Sequence, residues 1–178
     1  MELLTPNATL CVKIATTEAE RAHARTLRRL VFCDEQKIFS ISDADAIDAK
    51  ALVLIAVLTA AYQEEQPTNI VGTVRIHEEK AGLCVGSRLA VAQSARRSAH
   101  VGTNLIKLAV GIAHAHNCRT FHAQVQRQHV GLFERLYWTS LEEQTLHGLP
   151  HHLMQANLAC YPPIYDGDLG RFSVPENV

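Results

Sequence analysis

Residues 88–117 constrain the chain more than any other stretch. They read as an apolar strand (R-L-A-V), a polar and basic turn (A-Q-S-A-R-R-S-A-H), and an amphipathic helix over 102–117. A further strand, R-T-F-H-A-Q-V, follows at 119–125. Strand, helix and strand in succession make a crossover, so the sheet is mixed rather than a pure meander. Arg96 and Arg97 stand just before the helix, and Gly102 lies in its first turn. A helix N-terminus offers unpaired N–H groups and the positive end of the macrodipole. Two arginines beside it suit the place to a pyrophosphate.

The rest of the chain arranges itself around that crossover. Residues 8–15 read as a strand, and Thr17 with Glu20 three residues later forms a capping box for a helix reaching 32 or 38. The apolar positions Ala24, Leu27, Leu30 and Val31 recur at helical spacing. Residues 41–50 (I-S-D-A-D-A-I-D-A-K) read as an acidic loop or a single helical turn. The run at 52–58 is apolar throughout, as in a strand buried on both faces. Residues 63–69 make a polar hairpin link, 70–77 alternate as a strand, and 83–91 form the strand that enters the crossover. A helix at 128–138 and one or two strands within 143–160, broken at 148–150, complete the order. The fold class is therefore α/β (α+β): a mixed, mainly antiparallel sheet of six to seven strands flanked by helices, in the order β-α-β-β-β-α-β-α-β(-β). Residues 1–160 read as one domain and 161–178 as a tail.

Bulk properties exclude several classes. A net charge of −1 gives no general affinity for nucleic acid or a membrane surface. The longest apolar run, 51–62, is too short to span a bilayer, and 1–7 lacks the features of a signal peptide. The five cysteines are dispersed, which reads as reduced thiols in a cytoplasmic protein. The ten histidines include His114 with His116 and His151 with His152, neither at metal-ligand spacing, so no metal is expected.

Four segments, in order, resemble the GNAT superfamily of acyl-CoA-dependent N-acyltransferases. Residues 97–102 (R-S-A-H-V-G) match its pyrophosphate-loop pattern Q/R-x-x-G-x-G/A, with His100 in place of the first glycine. Residues 27–38 (L-R-R-L-V-F-C-D-E-Q-K-I) with 43–48 (D-A-D-A-I-D) resemble the start of many members and of the related acyl-homoserine-lactone synthases. Residues 70–76 (I-V-G-T-V-R-I) and 132–138 (L-F-E-R-L-Y-W) resemble the third strand and the end of the last helix. G-L-P-H-H-L-M (148–154) is also similar to a segment of a bacterial subgroup.

The resemblance implies an N-acetyltransferase that moves an acetyl group from acetyl-CoA to an amine by direct attack on the thioester. The pantetheine arm would lie along Leu89, Ala90 and Val91, whose N–H groups would face the thioester carbonyl. The N–H groups of His100, Val101, Gly102 and Thr103 would cradle the pyrophosphate, with charge from Arg96 and Arg97. Gln126 stands where the family often has a cofactor-binding asparagine. Phe133 stands where it often has a proton-donating tyrosine, and Tyr137 falls nearby on a glycine position. A bulge in strand 83–91 would splay it from strand 119–125 and open a cleft.

A general base must take the acceptor's proton. Glu35 reads either as a carboxylate beside the acceptor or as a solvated helix end. His77, on the same strand face as Arg75 and opposite Val74 and Ile76, reads either as a base or as a solvated strand end together with Glu78. Glu78, His122 and Asp43 are further candidates. Asp43, Asp45 and Asp48 read as a solvated run that would favour a cationic amine if it covered the cleft. Arg88 reads as a surface ion-pair partner or as a holder of an acceptor carboxylate. The expected partner is a small amine or a peptide acceptor, with a homodimer possible through edge strands and no nucleic acid or membrane. Two other readings stay open: a non-catalytic acyl-CoA-binding module, and an acyl-homoserine-lactone-synthase-like enzyme.

Overall fold

The computed structural model describes residues 8–60, 69–97 and 100–165 of the 178. The expected link at 63–68, Ser98 and Ala99 of the loop, and the tail beyond 165 lie outside them.

Strand β1 (Ala8–Ile14) leads into helix α1 (Glu18–Arg29). The capping box is formed as expected: the Thr17 hydroxyl accepts from the Glu20 N–H at 3.1 Å, and the Glu20 carboxylate accepts from the Thr17 N–H at 3.3 Å. Helix α1 then loosens into a π-helical turn, Leu30–Glu35, in which the Gln36 N–H reaches back to the Val31 carbonyl. This turn corrects the simple helical periodicity. Residue positions rotate away from the 3.6-residue repeat, so Leu30 is 45% exposed while Val31, Phe32 and Cys33 are buried.

Four antiparallel strands follow the order β1-β2-β3-β4, with β2 at Leu52–Ala60, β3 at Asn69–Lys80 and β4 at Leu83–Val91. Helix α2 (Val101–Ala115) crosses over to β5 (Thr120–Gln126), which pairs parallel with β4. The short helix α3 (Val130–Arg135) precedes a hairpin of β6 (Trp138–Leu146) and β7 (Leu149–Ala156). The full sheet has seven strands in the order β1-β2-β3-β4-β5-β7-β6.

Strand β2 is covered on both faces. Leu54, Ala56 and Leu58 join the large core against α2, while Ile55 and Val57 meet Ala15 and Ala24 on the α1 side. Val74 and Ile76 also face the α2 core, which puts Arg75 and His77 on the α1 side.

Two boundaries near the C-terminus differ from the sequence expectation. The helix expected over 128–138 is a 3-10 turn at Arg127–His129 followed by α3, and it stops where Tyr137 takes φ 65°. Trp138 therefore begins a strand, and its buried ring packs edge-on against Phe121 and Phe133. The strand break is not at 148–150. His147 (φ 49°) and Gly148 (φ 74°) alone make a two-residue turn, and Leu149 and Pro150 already pair with Leu146 and Thr145. Two consecutive positive φ values give the turn a twist that matches the hairpin.

Among the described residues no helix is long and apolar enough to cross a membrane.

Candidate active site

The site begins with a fault in β4. Ser87 pairs with Arg75 and Ala90 with Thr73, so Arg88 and Leu89 together stand opposite Val74 alone. One extra residue in a strand is a bulge, and Arg88 takes φ 56° to make it. Beyond the bulge β4 stays with β3 and leaves β5. The parallel β4–β5 ladder covers Leu83–Gly86 against Thr120–Ala123 and then ends. The upper halves of the two strands diverge, and a cavity of about 1210 Å³ fills the gap. Leu89, Ala90, Val91 and Gln126 line it, as the splayed-strand expectation requires.

The loop after β4 closes one end. A 3-10 turn (Gln93–Ala95) leads to Arg96 and Arg97, both exposed and both at the cavity wall. Arg96 is anchored: its Nε donates to the Val91 carbonyl at 3.0 Å, and its Nη2 pairs with the Glu35 carboxylate. His100 caps α2 in the left-handed region, at φ 48° and ψ 32°, with no side-chain cap to the helix. This is the conformation the missing glycine would have supplied at no steric cost. The first-turn N–H groups of Val101, Gly102 and Thr103 follow, and all three residues line the cavity. At Gly102 a methyl group would meet only the Val91 side chain, at 3.8 Å. The protein itself leaves this space open, so the cradle fits a phosphorylated ligand.

The α1 face of the sheet lines another part of the cavity through Arg75, His77 and Arg88. Residues 36–50 fold across that face, and the three aspartates are not the free solvated run expected: Asp43 is buried, Asp48 half-buried and Asp45 exposed, and each is paired with arginine. The Asp43 carboxylate accepts from Arg28 Nε at 2.7 Å and lies 3.1 Å from Arg88 Nε. Asp48 receives both terminal nitrogens of Arg28, at 2.6 and 3.2 Å. Asp45 receives both terminal nitrogens of Arg75, at 2.7 and 2.8 Å. Asp45 also caps the 3-10 turn Ala46–Ala49, while the Asp48 carboxylate reaches back to the Asp45 N–H. Hydrogen bonds from Arg75 hold the Asp45 carboxyl below the usual aspartate range. Burial works against ionisation of Asp48, but bonds from Arg28 and the Asp45 backbone outweigh it and lower its pKa. Three carboxylates are thus engaged by three guanidiniums, and none is left free to attract a cationic amine.

The base candidates separate clearly. His77 lines the cavity and is 8% exposed, so it is no solvated strand end. Its Nδ1 has no partner among the described residues. Burial pushes its pKa below the ordinary value of 6.5, helped by Lys50 and Arg75 nearby. Glu35 is exposed, is committed to Arg96, and is not part of the cavity wall. His122 lines the cavity with its Nε2 at 2.9 Å from the Gln155 amide oxygen. Phe133 is buried in the wall, so the position of the usual tyrosine is apolar, and Tyr137 is 62% exposed and points elsewhere. Gln126 donates to the Gln36 side chain at 3.0 Å and ties the end of β5 to the end of the π turn.

Sequence reasoning missed two parts of the wall. The Phe39 and His147 rings meet at a tilt, 58° between planes and 4.8 Å between centroids, joining the segment after the π turn to the β6–β7 turn. No local pattern signals that contact. The second is the arginine–aspartate network, whose pairing across distant segments leaves no local pattern.

No protein-family model and no curated protein matches the sequence. Solved structures do, and they agree on the architecture: the chain has the fold of the GNAT N-acyltransferases. An acetyltransferase of the GNAT family from Staphylococcus aureus aligns with 84% of this chain and 99% of its own, at 10% identity and TM-score 0.60. An acyl-CoA N-acyltransferase from Pseudomonas aeruginosa aligns over 83% and 98%, at 19% identity and TM-score 0.61. FeeM, an N-acyl amino acid synthase from uncultured soil microbes, aligns over 86% and 93%, at 12% identity and TM-score 0.64.

Proposed function

We propose that this chain is an acyl-CoA-dependent N-acyltransferase. The observation that carries the reading is the bulged β4 splayed from β5, with a left-handed residue and two arginines opening α2 at one end of the gap. A CoA thioester fits that gap lengthwise: its phosphates reach the α2 N-terminus, and its arm runs beside Leu89, Ala90 and Val91. Bound there, it supplies an activated acyl group.

The chain's own residues would do the rest. An N–H among Leu89–Val91 stabilises the oxyanion, an effect worth about 3 kcal/mol in comparable sites. His77, kept neutral by burial, takes the proton that the acceptor ammonium must lose. The amine nitrogen bonds to the acyl carbon, the carbon–sulfur bond breaks, and the sulfur leaves as thiolate; the second proton, shed by the nitrogen as it becomes an amide, passes through water to the thiolate. Phe133 cannot help there, and a thiolate is a good enough leaving group to go without it.

Calorimetric titration with acetyl-CoA tests the reading. Micromolar binding to the parent protein, lost in an Arg97→Ala, Gly102→Trp double variant, supports it. No binding of acetyl-CoA or CoA removes it. Binding without transfer to any amine would leave a non-catalytic acyl-CoA-binding module.

A further inference from the structure

We propose that the acceptor carries a carboxylate beside its amine, as an amino acid does, and that Arg88 is the residue that reads it. The inference rests on the acyltransferase reading and concerns the acceptor end of the same cavity.

The bulge is what brings Arg88 there. In a regular strand Ser87 and Arg88 would face opposite sides. Here the Ser87 hydroxyl meets Arg75 Nε at 2.9 Å, and Arg88 meets Asp43 and Asp45, so both neighbours serve the α1 face. The Arg88 guanidinium is fixed along one edge. Its Nε and Nη2 donate to the Asp43 carbonyl at 3.2 and 3.0 Å, and Nη2 reaches Asp45 at 3.3 Å. Its plane is backed by the Phe39 ring, 4.7 Å away. Nη1 makes no hydrogen bond or ion pair among the described residues, and Arg88 lines the cavity. A guanidinium held along one edge, with one nitrogen uncommitted among the described residues and the side chain at a cavity wall, is preorganised for an anion.

The surroundings favour the same ligand. A polyamine would need free carboxylates, and Asp43, Asp45 and Asp48 are all bound to arginines. Glu79, the other acid in the cavity wall, is exposed at the end of β3. Burial and the nearby Arg75 both disfavour the charge on Arg88, and the charge of an arriving anion opposes them.

The test is acetyl transfer from acetyl-CoA to matched pairs, each amino acid beside its own carboxamide, with spermidine as a purely cationic amine. The carboxamide keeps the amine and the shape and loses the charge. The parent protein is expected to favour the acid of at least one pair by roughly 10- to 100-fold in kcat/KM, the range of a charge-assisted hydrogen bond. In Arg88→Gln that preference falls to near unity, and Arg88→Lys retains part of it. A general structural defect would lower both members of a pair and leave the ratio intact. Should Arg88→Gln fail to fold, Arg88→Lys tests the residue and the parent protein's ratio tests the acceptor; a folded variant at 88 that keeps the full preference overturns the role of Arg88. The inference is overturned if carboxamides or spermidine are acylated as well as the acids, or if no carboxylate-bearing amine is acylated. Loss of acetyl-CoA binding in the calorimeter is the separate failure of the acyltransferase reading.

Discussion

His100 and Gly102 divide one task between them. His100 holds the left-handed turn that aims the α2 N-terminus, and Gly102 leaves the room in front of it. His100→Gly is expected to raise stability by about 1 kcal/mol, since a left-handed non-glycine residue costs of that order. Equilibrium denaturation would show it. Gly102→Ala should also raise stability, by up to about 1 kcal/mol from helix propensity, yet weaken acetyl-CoA binding in calorimetry. Gain in one measurement with loss in the other is the signature of a glycine kept for a ligand. His77 gives a pH prediction. Its folded pKa is below 6.5, so the neutral base is present at neutral pH and is lost as pH falls below that value. The rate should decline on the acid side, and His77→Gln should remove that limb. The positive φ at position 100 was legible, because a histidine replaces the motif's glycine there. The strand face of His77 was legible from its alternation with Val74 and Ile76. Its burial was not, because that depends on residues 36–50 folding across the sheet.

Elements were readable where a single local rule governs them. The Thr17–Glu20 box fixed the start of α1, and the unbroken apolar run of β2 announced two covered faces. The π turn at Leu30–Glu35 was hidden, since a helical repeat predicts the ordinary ladder and the extra residue is absorbed by packing of Val31, Phe32 and Cys33. Cross-strand geometry was also hidden at the β6–β7 turn. Proline at 150 suggested a break, but it sits in β7 opposite Thr145, and the turn belongs to His147 and Gly148. Gly148→Ala places a Cβ at φ 74° and should cost about 1–2 kcal/mol in denaturation experiments. The Phe39–His147 contact makes that turn part of the cavity wall, so the same variant should lower acceptor turnover more than acetyl-CoA affinity.

At the scale of the molecule, Arg28, Asp43, Asp45, Asp48, Arg75 and Arg88 bind α1, the segment after it, β3 and β4 into one unit. Arg28 and Asp43 are each 4% exposed in their side chains, so Asp43→Ala leaves the buried Arg28 Nε without its acceptor while Asp48 keeps the terminal nitrogens, and should cost about 1–3 kcal/mol. Asp45 and Asp48 have pKa values below the ordinary 3.8 in the folded chain. Their contribution is therefore complete above about pH 5 and fades as pH falls through the ordinary range toward the lower folded values. A denaturant midpoint followed from pH 6 down to pH 3 should fall mainly below pH 5. The sequence showed the six charges but not their pairing, which depends on contacts 15 to 45 residues apart. One feature has mechanical meaning as well. The sheet is two antiparallel plates, β1–β4 and β5–β7, hinged on a seam of four parallel pairs. Parallel pairing is the weaker kind, and at this seam it is short. Under hydrogen exchange the seam should unzip before either plate frays. A molecule lodged between the plates would then act as a latch, slowing exchange along β5 by closing a door that the fold leaves on a short hinge.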